Sequence, residues 1–308
     1  MQQEFDIVVA GAGVAGLTAA LTAARLGRKT LLLTGDVLGG LLISIETVEG
    51  FPGFADGVPG YDLGPMIQEQ ASAAGAEFAG GSVHHIAPRD GGWRIVGSEG
   101  ELQARAVVIA TGATLKELDV PGARRLRGKG VSHCATCDGP LLRNRMVAVV
   151  GGGDSALQEA LTLANFAERV IVLARGPALT AQAIYRDRAS ANPKIDIRLD
   201  AVVEEVLGAE TVSALRIRDT KASAATDLEA AAVFVYIGLQ PASAFLKDPS
   251  QLDASGRVVV DERMRTRLPG LFAAGIVRSG SVGRAAASAG DGATAAVAAD
   301  RYLSDGDW

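Results

Sequence analysis

Apolar residues in this chain gather in short unbroken runs separated by glycine turns and by longer stretches rich in alanine and leucine. Asp6-Ile7-Val8-Val9-Ala10 is one such run; an Ala/Leu-rich stretch over 17–26 follows, ends at Gly27, and leads into a second run over 29–33. Runs that are apolar at every position, not at alternate ones, read as strands buried on both faces, the pattern of a parallel sheet covered by helices. The order then repeats: a strand at Met146-Val147-Ala148-Val149-Val150, a helix over 157–166, and a strand at Val170-Ile171-Val172-Leu173. Further strand-like runs, over 107–112 and 269–275, each end in glycine, and the Ala-rich stretch 285–302 predicts a closing helix with Gly290 and Gly292 inside it. His84 and His85 stand beside the turn-rich segment 87–92, which predicts a β excursion; both read as surface or packing residues.

The turns inside the two repeats carry chemistry. Gly11-Ala12-Gly13-Val14-Ala15-Gly16 follows the first strand directly, and Gly151-Gly152-Gly153-Asp154-Ser155-Ala156 follows the third. Strand, GxGxxG or GxGxxA, helix, strand is the dinucleotide fingerprint in its required setting. The first glycine makes the tight turn, the second admits a pyrophosphate, and the third position lets helix and strand pack closely. The helix then presents free N–H groups to the phosphates. A chain with two fingerprints implies two dinucleotides, and hydride commonly passes between a nicotinamide and a flavin in such enzymes. The predicted fold is α/β, with two Rossmann-like nucleotide-binding domains, the second inserted into the first: 1–113 plus 243–308, and 114–242.

Composition agrees with two domains and removes several classes of function. The 308 residues amount to two domains at ~150 residues each, and the 48% apolar and 21% charged usage excludes disorder and a disulfide-built scaffold. The 30 Lys and Arg stand against 35 Asp and Glu with no block of five like charges, so no nucleic-acid partner is expected. The start, Met1-Gln2-Gln3-Glu4-Phe5-Asp6, lacks the cationic region and apolar core of a signal peptide. No apolar run reaches about 18 residues, so no membrane association is expected and the reading is cytoplasmic.

The two cysteines of the chain lie together, in His133-Cys134-Ala135-Thr136-Cys137-Asp138-Gly139-Pro140. CxxC spacing lets two sulfurs close a disulfide over one turn and lowers the pKa of one thiol. The other use of such a pair is half of a zinc site, which needs four ligands; only His84 and His85 remain besides His133, so no metal is expected. A carboxyl directly after the pair can supply the proton that thiol–disulfide exchange needs; Asp138 is otherwise a turn residue. His133, if protonated, would lower the Cys134 thiol pKa; the other reading is an inert exposed ring.

With these residues together, the chain resembles the low-molecular-weight thioredoxin reductase family over nearly its whole length. The carriers are segments 11–16, 39–40, 48–53, 110–113, 134–139, 151–156, 237–238 and 271–275. The resemblance implies FAD on the first fingerprint, held around Gly11, Gly13, Ala15, Gly16, Ala110, Thr111 and Gly112. Segment 34–41 (Thr34, Gly35, Gly39, Gly40 and Leu41 among it), Gly275, Ile276, Arg284 and Ala285 would line it further. It implies NADPH on the second fingerprint, at Gly151, Gly153, Asp154, Ser155 and Arg175. Electrons would run from nicotinamide to flavin, to the Cys134–Cys137 disulfide, and on to thioredoxin or a similar small dithiol protein. Cys137 would face the flavin, Cys134 would attack the partner disulfide and Asp138 would move the proton. The family also implies a homodimer, and a rotation of one domain about the crossings near 111–114 and 238–242.

Three positions depart from that family. Its NADPH-preferring members carry a His-Arg-Arg stretch that clamps the 2′-phosphate, whereas this chain reads Ala174-Arg175-Gly176. Arg175 is either a phosphate contact or solvated surface, and the donor is NADPH, NADH, or a protein such as a ferredoxin-like carrier with no pyridine nucleotide at all. The family's Gly-Asp at the closing strand is Gly275-Ile276 here, which removes one hydrogen bond to the FAD ribityl chain, worth about 1.5–3 kcal/mol. Arg284 stands where a glutamine lies near the flavin pyrimidine; it either favours an anionic reduced flavin or makes a helix-end contact. The remaining alternatives are a dithiol oxidase and a flavin-binding sensor.

Overall fold

The computed structural model describes residues 4–35, 37–222 and 224–308. The chain divides into two compact units, Met1–Thr114 with Gln240–Trp308, and Leu115–Leu239.

The first unit opens with β1 (Glu4–Ala10), α1 (Val14–Arg25) and β2 (Thr30–Leu33). A one-turn 3-10 segment, Gly40–Ser44, precedes α2 (Gly60–Ala73) and β3 (Glu77–Ala79). The meander β4 (Val83–Arg89), β5 (Gly92–Gly97) and β6 (Gly100–Ile109) follows, then the short β7 (Ala113–Leu115). The predicted helix start at Leu17 is late by three residues: α1 begins at Val14, inside the fingerprint, so Gly16 belongs to the helix. The sheet order is β3-β2-β1-β6-β5-β4. Its β3-β2-β1-β6 half is parallel, and its β6-β5-β4 half antiparallel.

The second unit contains β8 (Val131–Ser132), α3 (Ala135–Asp138), β9 (Met146–Val150), α4 (Asp154–Ala164), β10 (Arg169–Leu173), α5 (Ala183–Ala191) and β11 (Ile195–Arg198). These precede an antiparallel trio, β12 (Ala201–Leu207), β13 (Ala214–Asp219) and β14 (Ala225–Glu229), and then β15 (Ala232–Val235). The main sheet, β11-β10-β9-β15-β8, is parallel throughout. The next strand, β16 (Leu239–Pro241), pairs with β7 as a two-stranded sheet.

The return to the first unit adds β17 (Leu271–Ala273), parallel to β6, and α6 (Ala285–Asp305). The strands β9, β10 and β15, with the C-terminal ends of β1 (7–10) and β6 (106–109), are buried almost to the last side chain, which is why these runs show no alternation. α1 and α6 pack backbone to backbone through small residues. A Cβ on Gly292 would lie 2.1 Å from the Ala15 carbonyl oxygen, so only glycine fits that crossing.

Candidate active site

In the first unit the turn after β1 is shaped by close backbone contacts. A Cβ on Gly11 would lie 2.4 Å from the Ala110 carbonyl oxygen, and one on Gly16 would lie 1.8 Å from the Gly11 carbonyl oxygen. Gly11 also has φ +109°, a region that side chains other than glycine's rarely enter. Gly13 differs. It caps α1 in extended backbone, and a Cβ there would meet nothing within 4 Å. No side chain caps the first turn of α1, so its amides face the opening at Gly13.

Other predicted residues close around this turn. The Gly39 amide donates to the Ala12 carbonyl at 3.0 Å, and Gly40 lies against Gly13, with 3.5 Å from a Cβ position to the Gly13 Cα. Gly275, at φ +81°, would bring a Cβ to 2.7 Å from the Ala15 Cβ. Ala110 is buried against Gly11, and the Thr111 hydroxyl donates to the Ala242 carbonyl at 2.7 Å beside Gly112. Thr34 and Gly35 leave β2 with their amides on the Ala79 and Gly81 carbonyls; Asp36 lies outside the described residues. Leu41 is half-buried in the 3-10 segment. Arg284 caps α6 as an exposed side chain, with Ala285 as the first helical residue.

The second unit repeats the turn with a shallower opening. A Cβ on Gly151 would lie 2.3 Å from the Tyr236 carbonyl oxygen, whereas one on Gly153 would have the Thr180 hydroxyl at 3.8 Å. The segment after β10 folds back over this turn: the Thr180 and Ala181 amides donate to the Gly152 carbonyl at 2.8 and 3.1 Å. Asp154 fastens it, accepting from the Gln182 amide at 2.7 Å and from Gln182 Nε2 at 3.0 Å. Ser155 and Arg175 are both exposed, Arg175 just beyond the end of β10.

Cys134 and Cys137 form a disulfide with Cα atoms 5.3 Å apart. Cys134 caps α3, and its Sγ accepts from the Cys137 amide at 3.2 Å; its own amide donates to the Ser132 hydroxyl at 3.1 Å. Cys134 and Asp138 are half-buried and Cys137 is exposed. Burial pushes the His133 imidazole below its ordinary range, with the nearby Arg127 adding to the shift and the Lys116 backbone and Glu117 opposing it. The ring is therefore neutral at pH 7 and lends no positive charge to the Cys134 thiol, against the protonated reading of the sequence.

Sequence reasoning passed over two groups in the same unit. Glu159 on α4 is 5% exposed and Tyr236 after β15 is 8% exposed. Burial, with the charges of Glu159 and Asp138 nearby, pushes the Tyr236 hydroxyl upward, so it keeps its proton. The signal for Glu159 was available: it falls among Ala156, Ala160 and Leu163 on the buried face of its helix, where a carboxylate breaks the pattern.

Comparison with known proteins agrees with this geometry. The pyridine nucleotide-disulphide oxidoreductase family matches residues 5–292. A thioredoxin reductase of Treponema pallidum is 38% identical over 303 residues, 98% of this chain and 98% of that protein. A bifunctional thioredoxin reductase/thioredoxin of Mycobacterium leprae is 40% identical over 97% of this chain and 66% of its own length. The crystal structure of Lactococcus lactis thioredoxin reductase matches with a TM-score of 0.95 at 35% identity, covering 97% of this chain and 99% of that one. The chain therefore belongs to the pyridine nucleotide-disulphide oxidoreductases and, within them, to the low-molecular-weight thioredoxin reductase family.

Proposed function

We propose that the chain takes electrons from NADPH through FAD to the Cys134–Cys137 disulfide and delivers them to thioredoxin or a similar small dithiol protein. The observation that carries this reading is the oxidised pair at the start of α3, in the same compact unit as the second fingerprint. The open face at Gly13, ringed by Gly11, Ala15, Gly16, Gly39, Gly40 and Gly275, fits the pyrophosphate of FAD: it offers amides and room, and no side chain intrudes. Thr34, Gly35, Leu41, Ala110, Thr111, Gly112, Ile276, Arg284 and Ala285 would border the rest of it. Gly151, Gly153, Asp154, Ser155 and Arg175 would hold the nicotinamide nucleotide. FAD, when bound, supplies the two-electron step between nicotinamide and disulfide.

The protein's own residues then complete the exchange. Once the pair is reduced, the Cys137 N–H aimed at Cys134 Sγ stabilises a thiolate on Cys134. That thiolate attacks the partner's disulfide and forms a mixed disulfide. Cys137 attacks Cys134 Sγ, re-forms the internal disulfide and releases the partner as a dithiol. Asp138 carries the proton that the departing sulfur takes up. The family resemblance adds a homodimer, and the charge distribution and absence of long apolar runs in the sequence favour a cytoplasmic protein with no nucleic-acid or membrane partner; among the described residues no helix is long and apolar enough to cross a membrane.

A second reading keeps the disulfide chemistry and changes the donor to NADH or a carrier protein. It is favoured by Arg175, a single exposed guanidinium where a 2′-phosphate clamp uses several. Anaerobic titration of the purified protein with NADPH, NADH and dithiothreitol, followed at the visible flavin maximum, separates the two. Reduction by NADPH supports the first reading; reduction by NADH and not NADPH supports the second with NADH as donor, and reduction by dithiothreitol alone supports it with a carrier protein. A protein that neither carries nor takes up flavin refutes both.

A further inference from the structure

The buried ion pair between α6 and the turn after β17 has no part in the exchange described above. Asp291 lies on α6 with its side chain 9% exposed, and Arg278 is 16% exposed. The contact is bidentate, Arg278 Nε to Asp291 Oδ2 at 2.7 Å and Nη2 to Oδ1 at 2.7 Å. Asp291 Oδ2 also accepts from the Gly275 amide at 3.1 Å. Three bonds from one carboxylate therefore fix both ends of the segment 275–278. Arg257 holds the same segment from another side, donating to the Ile276 carbonyl at 2.6 Å. The Ile276 side chain has no polar atom with which to take part.

This carboxylate sits at the contact that shapes the opening at Gly13. Gly275 lies against the Ala15 side chain in the first turn of α1. Gly292, the residue after Asp291, lies against the Ala15 carbonyl. A shift of the Gly275 backbone by a few tenths of an ångström would press on Ala15 or open a gap beside it. A bidentate charged pair excluded from water resists such a shift more strongly than a neutral hydrogen bond.

We propose that Asp291 and Arg278 are positioning residues that hold the Gly275 turn against the first turn of α1, and that this clamp sets the affinity for FAD although neither side chain need touch it. The inference rests on the reading that α1 receives FAD. Removing one partner leaves a buried charge uncompensated, so the test uses the double variant Asp291→Asn/Arg278→Met beside the single Asp291→Asn. Apoprotein of each is titrated with FAD by flavin fluorescence, and its melting temperature is measured without FAD. The expected result is FAD binding weakened about tenfold or more, the loss typical of a hydrogen bond to a charged group. The double variant should lose no more than the single one, because the two residues act as one unit. Wild-type FAD affinity in the folded double variant overturns the proposal, as does a lowered melting temperature with unchanged affinity, which marks a purely structural pair. Wild-type protein that takes up no FAD refutes the FAD reading itself, an outcome distinct from either of these.

Discussion

The two glycines Gly13 and Gly16 lie three residues apart in one turn, and the structure gives them opposite surroundings. A methyl added at Gly16 would sit 1.8 Å from the Gly11 carbonyl oxygen and 3.3 Å from the Ala110 Cβ. The near neighbour is backbone, so α1 must move. Overpacking of this kind costs about 1–3 kcal/mol, and at about 2–4 °C per kcal/mol for a unit of this size the apoprotein should melt about 2–12 °C lower. Gly13 has φ −75° and ψ 179°, open to any residue, and a methyl there meets no protein atom within 4 Å. Gly13→Ala should therefore leave the apoprotein within about 1 kcal/mol of wild type, the scale of an N-cap change. The methyl would instead stand in the path of the pyrophosphate, and FAD binding should weaken about tenfold to a hundredfold, which is about 1.4–2.8 kcal/mol. Melting of both apoproteins, with FAD titration of each, gives the two numbers. If Gly13→Ala binds FAD as wild type does, Gly13 does not face the cofactor. If Gly16→Ala melts as wild type does, the contact at 1.8 Å does not define the turn.

Three further outcomes follow from other parts of the molecule. Cys137→Ser, reduced and mixed with an oxidised dithiol protein such as thioredoxin, should accumulate a mixed disulfide through Cys134, while Cys134→Ser should not; trapping through Cys137, the more exposed sulfur, would reverse the assigned roles. His133 has its folded-state pKa lowered by burial, so its neutral form is preferred in the fold, and the stability it supports is present above about pH 6.5 and lost as pH falls below that. His133→Gln should therefore flatten the fall in melting temperature between about pH 7 and 5, and an unchanged slope would remove His133 from the acid response. Trp308 packs edge-on against Phe272 and Tyr302, with ring centres 5.2 and 5.5 Å away; Trp308→Ala should destabilise the first unit by about 1–3 kcal/mol, read by thermal unfolding.

The strand–turn–helix units are legible in the sequence because each part is demanded locally. Val8, Val9, Val107 and Val108 are buried on both faces of a sheet, so nothing polar interrupts them, and Gly11 and Gly16 leave no room for a Cβ. The antiparallel sheet β12–β14 escaped notice for an equally local reason. A bulge between Val203 and Glu205 breaks the period of two in β12. Its other face is charged, with Arg216 paired to Glu205 and Asp227 across the strands and Arg218 paired to Glu204, so the stretch reads as solvated surface. Asp291 and Arg278 are illegible for a different reason. One lies in the middle of an alanine-rich helix and the other in a turn, and only the fold brings the carboxylate to the Gly275 amide. The Gly-Ile at 275–276 therefore looks like a plain loss in sequence, whereas the structure has a carboxylate bound to the same turn from another element.

On the proposed reading, the two fingerprints also differ in how much of their recognition would rest on side chains, and this bears on which departures matter. Around Gly13 the groups offered are main-chain amides and empty space, defined by backbone contacts from Gly39, Gly40, Ala110 and Gly275. Such a site changes little when a side chain at its border is replaced, because a substitution such as Ile276 removes at most one of many contacts. Choosing NADPH over NADH is a different problem. The two differ by one phosphate, and only cationic side chains beyond the strand end can register it. At that place the chain offers Arg175, exposed and followed by Gly176 and Pro177. Equal amounts of sequence change thus have unequal consequences in the two units: FAD binding should persist, while the preference for the electron donor is the property most open to change.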